Sequence, residues 1–153
     1  MPIFTLAIKS TAINYKMVKT MKDMSEKKVV LLTGSTGGLG SQIANGLSNK
    51  DYQIALHYHT DESQAIALKE NLENSQMHKI FVADLTVESQ IEKMISAVAS
   101  EFGRIDVVIN NAGKSFSGMS WKQSAEDWHT IMNVNITAVF LVNKYVIPHL
   151  RKQ

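Results

Sequence analysis

Residues 29–40 read VVLLTGSTGGLG, and this stretch decides the fold class. Its first four residues form a continuous apolar run, which is typical of a strand buried on both faces of a parallel sheet. A glycine-rich turn follows, and residues 39–48 then have a helical pattern. In such a turn Gly34 would permit the tight bend, Gly38 would let backbone N–H groups approach a phosphate, and Gly40 would let the helix pack closely. A glycine turn between a strand and a helix predicts a phosphate site, because unpaired N–H groups at a helix N-terminus attract anions. The alternative is a glycine-rich turn that binds nothing.

The alternation of short apolar runs and helical stretches continues along the chain. Further strands are predicted at residues 53–56, 79–83 and 106–110, separated by helices at residues 61–74 and 87–102. Strands that alternate with helices of this length predict right-handed βαβ units and a parallel sheet. We therefore predict an α/β fold with a parallel sheet of about four strands.

Individual residues mark where the later helices begin and end. Gly103 stands where a glycine commonly terminates a helix. Ser124 and Asp127 have the spacing of a capping box, which predicts that helical segments begin there and continue until Pro148 ends them.

Composition excludes several classes of protein. The 153 residues include no cysteine, which excludes disulfide scaffolds, cysteine-ligated zinc and thiol nucleophiles, and no metal site is predicted. No apolar run is as long as the roughly 20 residues of a membrane span, so no membrane contact is expected. Residues 1–28 carry a net charge of +4 and residues 29–153 a net charge of −2, so the body lacks the basic surface of a nucleic-acid binder. A cytoplasmic location is expected.

The glycine stretch and the segments that follow later strands resemble one known family. Thr33, Gly34, Gly38 and Gly40 match the pattern Thr-Gly-x-x-x-Gly-x-Gly of the classical short-chain dehydrogenases/reductases. The resemblance continues through Asp84-Leu85, Asn110-Asn111-Ala112-Gly113 and Asn135, and 3-oxoacyl-carrier-protein reductases are the most similar members. The resemblance implies an incomplete Rossmann-type, doubly wound parallel sheet of about four strands in the order 3-2-1-4. It also implies an NAD(P)-dependent oxidoreductase that acts on a carbonyl/alcohol pair, of which these residues form the cofactor-binding part.

The resemblance also implies a role for individual residues. Asp84 would accept a hydrogen bond from adenine, with helix capping as the alternative, and Asn111–Gly113 would line the nicotinamide ribose, with an ordinary strand-terminal turn as the alternative. Asn135 is the implied catalytic residue, which would hold a helix bulge and a water in a proton relay. The full set of implied cofactor-binding residues is Gly34, Thr36, Gly38, Leu39, Gly40, His59, Asp84, Leu85, Asn111, Ala112 and Gly113.

The end of the second strand bears on the choice of cofactor. An acidic residue there would bind the ribose 2′-hydroxyl of NAD, whereas residues 57–60 read HYHT. NADP is therefore expected and NAD remains possible, with His59 as the group nearest the 2′-phosphate or, alternatively, a solvated loop histidine. Gly37 favours NAD instead, because NADP-dependent members of the family often carry Arg or Lys at that position.

The family's catalytic Ser and Tyr-x-x-x-Lys pattern does not follow Asn135. Tyr145 with His149 is interpreted as a packing pair, and the pair Tyr15 and Lys19 as a chance match. Trp121 and Trp128 are also expected to be packing residues.

The missing pattern determines the expected domain organisation. We expect a basic, disordered extension at residues 1–27 and a dinucleotide-binding domain at residues 28–153, truncated before the catalytic helix. The alternatives are a non-catalytic nucleotide-binding or regulatory module and a partner-binding fragment. The full-length family implies homo-oligomers, and an uncovered fourth strand would favour self-association.

Overall fold

A computed structural model describes residues 27–152 of the chain. The predicted basic extension, except for Lys27, and the Tyr15 and Lys19 pair lie outside the described residues.

The described residues contain a four-stranded parallel sheet in the order β3-β2-β1-β4. This is the predicted order, with the first strand in the interior of the sheet. Val29 to Leu32 are at most 1% exposed, as expected for a strand with helices on both faces. The strands are β1 (Lys28–Leu32), β2 (Tyr52–Tyr58), β3 (Lys79–Val82) and β4 (Val107–Ile109).

Helices follow each of the four strands. Short 3₁₀ turns at Ser75–Met77 and Ser120–Lys122 lie in the connections, and a π-helical turn at Asn133–Thr137 joins the last two α-helices. The α-helices are α1 (Gly38–Ser48), α2 (Glu62–Asn71), α3 (Glu88–Phe102), α4 (Ala125–Met132) and α5 (Ala138–Leu150).

The side chains of the sheet alternate between two apolar clusters. One face of the sheet, with Val29 and Leu31, packs against α3 and α5. The other, with Leu32 and Leu56, packs against α1 and the partly buried Leu68 of α2. Because successive strand residues point to opposite faces, one β1 segment serves both clusters. The carboxyl ends of the strands are left clear for a site, as in other doubly wound folds.

The predicted signals at helix ends are confirmed, with one exception. Gly103 has φ of 75° at the end of α3, and Ser124 and Asp127 form both bonds of a capping box. Pro148, however, lies inside α5 instead of ending it. The prediction was wrong by two residues: proline costs the helix one N–H bond, and the turn already formed continues to Leu150.

Two strands form the edges of the described sheet. β3 and β4 each pair with one neighbour, and Val82 and Val107 are exposed there. The expected uncovered fourth strand is therefore present among residues 27–152. The self-association that it would favour stays a prediction.

One helical stretch corrects the expectation about membrane spans. Residues 125–150 run as a single 26-residue helix whose most apolar window has a mean hydropathy of 1.3, enough in length and composition to cross a membrane. It could not be seen as an apolar run because scattered polar residues interrupt it. Core helices of soluble proteins meet the same criterion, and Leu141, Val142 and Val146 of this helix are buried in the cluster with α3.

Asp106 joins the start of β1 to the segment before β4. Its Oδ2 accepts hydrogen bonds from the Val29 N–H at 2.7 Å and from Arg104 Nε at 2.8 Å. Burial raises the pKa of Asp106, but the bonds from Arg104 and Val29 outweigh it and hold the pKa below its usual value. A carboxyl whose pKa is lower in the folded state stabilises the fold above its unfolded pKa, and this stabilisation is lost as the pH falls.

Replacing Asp106 with asparagine should therefore lower the free energy of unfolding at pH 7 by about 2 kcal/mol, because a charge-assisted acceptor is lost. The deficit should shrink as the pH is lowered from about 5 to about 2, where the native carboxyl is itself protonated. Urea denaturation across this range measures both effects. Asp51→Asn is the control, since Asp51 is 89% exposed and its pair with Lys27 contributes little. A deficit that stays constant with pH would contradict the assignment.

Candidate functional site

The loops that follow the four strands enclose an open cleft of about 750 Å³ at the carboxyl edge of the sheet. The structure brings together ten of the eleven residues predicted to bind a cofactor. Gly38 is the exception, and its neighbour Gly37 lines the cleft instead. The predicted residues that line the cleft are Gly34, Thr36, Leu39, Gly40, His59, Asp84, Leu85, Asn111, Ala112 and Gly113.

Gly34 makes the first bend of the glycine turn. Its φ is +63°, a conformation that side chains disfavour, and its carbonyl oxygen accepts from the Gly37 N–H at 3.3 Å. A Cβ at Gly34 would lie only 2.8 Å from the Cα of Ala112. Glycine is therefore required both for the turn and for the close approach of the loop that follows β4.

Gly40 allows α1 to pack against the turn that precedes it. A Cβ at this position would collide with the carbonyl oxygen of Gly34 and would lie 2.9 Å from Asn111 Nδ2. This is the close packing that the sequence predicted for the last glycine of the motif. At Gly38 a Cβ would meet nothing within 4 Å, so any requirement for glycine at that position must come from a ligand.

The N-terminus of α1 offers donors to the cleft. Its N-cap is Gly37, and no side chain caps the helix. The first N–H groups of an α-helix have no partner within the helix, so those of α1 are available to an anion. An uncapped helix end beside a glycine turn suits a ligand that carries phosphate groups.

Asn111 and Thr33 tie the loop after β4 to the glycine turn. The Asn111 side-chain amide donates to the carbonyl oxygens of Thr33 at 3.0 Å and Gly34 at 2.9 Å. In return, the Thr33 hydroxyl accepts from the N–H groups of Asn111 and Ala112 at 3.0 and 3.1 Å. Neither Asn111 nor Gly113 has a positive φ, so the left-handed geometry that Asn and Gly favour in turns does not account for these residues. Asn111 therefore shapes the wall of the cleft through the glycine turn.

Asp84 presents a carboxylate to the cleft. Its Oδ1 accepts from the Thr86 hydroxyl at 2.7 Å and from the Thr86 N–H at 2.9 Å, and these bonds lower the pKa of Asp84. The alternative that Asp84 caps α3 was wrong, since the cap position of α3 belongs to Val87. Asp84 Oδ2 lies 3.7 Å from His59 Nε2. His59 is exposed in the bend after β2 and lies beside the only carboxylate that lines the cleft within residues 27–152, so the alternative of a solvated loop histidine stays open.

Asn135 lies in the π-helical turn between α4 and α5. Its side chain accepts from the Lys114 N–H at 2.8 Å and donates to the Lys114 carbonyl at 2.9 Å. The implied helix bulge is therefore present. Asn135 itself does not line the cleft, although Lys114 and Val134 do, and its part in a proton relay stays a prediction.

Several cleft residues were not predicted from the sequence, and His57 is the most consequential. It is 2% exposed, and its ring bonds both the glycine turn and the end of β3. The predicted second strand ended at Leu56, one residue before His57, whereas the structure extends β2 to Tyr58. The other residues missed are Gly37, Ala83, Thr86, Lys114, Thr130 and Val134.

Residues outside the cleft include Tyr145 and the two tryptophans. The Tyr145 hydroxyl donates to Glu88 Oε1 at 2.9 Å, which joins α5 to α3. This supports the packing interpretation of Tyr145. The expectation that Trp121 and Trp128 are packing residues was wrong, because they are 77% and 53% exposed. No cluster of His, Asp and Glu suited to a metal occurs within the described part of the chain.

Comparison with known proteins gives a family match over the described fold. The family model for short chain dehydrogenases matches residues 28–153. The 3-oxoacyl-acyl-carrier-protein reductase of Buchnera aphidicola is 31% identical, over 82% of this chain and 51% of its own. Glucose 1-dehydrogenase 2 of Bacillus subtilis is also 31% identical, over 86% of this chain and 51% of its own. The chain spans about half the length of the curated relatives it matches.

Two solved structures agree with the fold and differ in cofactor. An actinorhodin polyketide ketoreductase variant solved with NADPH has a TM-score of 0.74 and 27% identity, covering 80% of this chain and 47% of its own. An NADH-dependent reductase responsible for alginate metabolism has a TM-score of 0.75 and 30% identity, covering 85% of this chain and 54% of its own. The similar structures therefore include both kinds of nicotinamide cofactor.

Proposed function

The chain belongs to the short-chain dehydrogenase family, and we propose that its cleft binds NAD(P) as the cofactor-binding part of an oxidoreductase for a carbonyl/alcohol pair. The observation that carries the proposal is the glycine turn locked by Asn111 beside the uncapped end of α1. This arrangement supplies backbone donors without a Cβ in the way, which is what a pyrophosphate requires. The proposal extends to a cytoplasmic homo-oligomer as the working form.

Different residues that line the cleft would have distinct tasks. Gly37 and the first residues of α1 would hold the pyrophosphate, and Asp84 would accept from the adenine amino group. Asp84 suits this task because its lowered pKa keeps it an acceptor at neutral pH. Ala112 and Gly113, small residues that line the cleft from the loop after β4, leave room for the nicotinamide ribose. A bound nicotinamide would supply or accept hydride there.

We further propose that NADP is preferred to NAD. Among the described residues that line the cleft, no carboxylate follows β2, so nothing there would accept bonds from both ribose hydroxyls of NAD. His59 lines the cleft at this position and could pair with a 2′-phosphate. Its neighbour Asp84 competes for the same imidazole, which predicts a moderate preference rather than an absolute one.

Calorimetric titration of the chain with NADP⁺ and NAD⁺ tests both proposals. NADP⁺ should bind about tenfold more tightly than NAD⁺, and His59→Asp should reverse the order by introducing the missing acceptor and repelling the phosphate. The control is Lys50→Asp, a charge change at an exposed residue after α1 that does not line the cleft. Equal affinities, or a preference unmoved by His59→Asp, would contradict the NADP assignment. Absence of binding by either dinucleotide would contradict the proposed function itself.

A further inference from the structure

His57 connects the end of β2 to the glycine turn and to the loop after β3. It lies near the end of β2, and its Nδ1 is 3.0 Å from the Gly34 backbone nitrogen. Its Nε2 is 3.0 Å from the carbonyl oxygen of Ala83, the residue just before Asp84. The His57 carbonyl oxygen also accepts from the Ser35 N–H at 2.9 Å. The glycine turn and the loop after β3 are therefore held from the same residue.

These contacts require one protonation state of the ring. A backbone N–H can only donate, so Nδ1 must carry a free lone pair toward Gly34. A carbonyl oxygen can only accept, so Nε2 must carry the proton that faces Ala83. The neutral Nε2–H tautomer satisfies both, whereas an imidazolium would direct a second N–H at the Gly34 N–H. Protonation of His57 therefore breaks the bond that holds the first glycine of the turn.

We propose that His57 is a positioning residue of the dinucleotide cleft, whose neutral ring fixes the Gly34 amide and whose protonation releases the turn and weakens dinucleotide binding. This inference rests on the proposed function. It adds a dependence of dinucleotide binding on pH that the glycine pattern alone does not predict. His57 acts through Gly34, which itself lines the cleft together with Gly37 and Gly40.

The surroundings of His57 favour the neutral ring. Burial lowers the pKa of His57, its bond to Ala83 works against this, and repulsion from His59 lowers the pKa further. Asp84 follows Ala83 in the chain, and Lys114 lines the cleft from the loop after β4. The glycine turn, residues 33–40, has no titratable side chain. The turn is therefore held at neutral pH, and its anchor is lost as the pH falls through the pKa of His57.

The dependence of binding on pH tests the role of His57. NADP⁺ affinity of the whole chain, measured by calorimetry from about pH 7.5 to about pH 4.5, should fall by up to about tenfold per pH unit below the pKa of the ring. His57→Asn keeps an amide acceptor and donor but cannot titrate. Its NADP⁺ affinity should therefore lose the part of the pH dependence that His57 causes. His129→Gln, a change at an exposed histidine of α4 that does not line the cleft, should keep this pH dependence. The 2′-phosphate titrates equally in every variant and cancels from the ratio of affinities. Parallel curves for the native chain and His57→Asn would overturn the proposal.

Nuclear magnetic resonance of the free chain gives a readout that needs no ligand. The ¹⁵N shifts of His57 should show a protonated Nε2 and an unprotonated Nδ1 at neutral pH. The hydrogen-exchange protection factor of the Gly34 amide should fall as His57 titrates, while that of Thr33, which donates to the Ile109 carbonyl at 3.0 Å, should not. The opposite tautomer, or Gly34 protection unaffected by the titration, would overturn the positioning role. If no dinucleotide binds at any pH, the proposed function fails and Gly34 protection alone decides the role of His57.

Discussion

Replacing Gly40 with alanine should abolish dinucleotide binding and lower the free energy of unfolding by about 3 kcal/mol. The added methyl group would overlap the Gly34 carbonyl oxygen and press on the Cα of Ser35, 2.9 Å away. Both are backbone atoms, so no rotamer change can relieve the contact. The glycine turn must move away from α1, and the donors of the helix end then no longer converge on one point. Urea denaturation and NADP⁺ calorimetry measure the two losses.

Two other glycines provide matched controls. Gly46 lies in the same helix, and a Cβ added there would have no atom within 4 Å, so Gly46→Ala should stabilise the chain by up to about 1 kcal/mol and leave binding unchanged. Gly38 is equally open, so Gly38→Ala should leave the free chain intact. Loss of binding in Gly38→Ala alone would show a contact between ligand and backbone at that residue. A fully stable Gly40→Ala chain would contradict the packing role of Gly40.

Replacing Asn111 with aspartate should lower stability and dinucleotide binding nearly as much as Gly40→Ala does, although the Asn and Asp side chains have the same shape. The amide of Asn111 donates to two carbonyl oxygens, those of Thr33 and Gly34. A carboxylate would remove both donors and face the same oxygens with a negative charge. We expect a loss of about 3 kcal/mol in stability and at least about a tenfold loss in NADP⁺ affinity. The same urea and calorimetric measurements test both.

The effect of pH separates this electrostatic cause from a loss of packing. The new carboxyl is disfavoured when charged, so its pKa should be higher in the folded state than in the unfolded state. Stability of Asn111→Asp should therefore recover as the pH falls, because a protonated carboxyl can donate one of the two bonds. Asn110→Asp, one residue earlier on an exposed side chain that contacts Asn143, is the control and should change stability by less than about 1 kcal/mol. An equal loss of stability in Asn111→Asp and Asn110→Asp would contradict the proposal that the Asn111 amide holds the glycine turn.

Short-range sequence patterns were sufficient to predict the glycine turn of the site and two helix ends. Glycines at 34 and 40 were assigned a turn and a close approach, and the positive φ of Gly34 and the crowding at Gly40 confirm both. The capping box at Ser124 and the glycine after α3 were equally local, since each depends on residues within one turn of a helix. Such features could be predicted because the residues that cause them are neighbours in the chain.

The errors arose where distant segments meet. The second strand was predicted to end at Leu56, where the apolar run ends, yet pairing of His57 with Phe81 and of Tyr58 with Val82 extends β2 to Tyr58. Trp121 and Trp128 were expected to pack because they are large and apolar, but no described segment covers them. Composition describes what a side chain prefers; only the surrounding structure determines whether that preference is met.

The sequence by itself determined a parallel α/β sheet, its strand order, the family and the edge at which the cleft opens. The sheet follows from hydrophobic period and the turn from glycine's freedom at a few positions, both of which are local properties. The strand order and the family follow from the resemblance of the motifs. Only the tertiary structure decided that Asn111 donates to the glycine turn and that His57 accepts from it. Those bonds join residues 77 and 23 positions apart, and their existence depends on strand register and on where each strand ends.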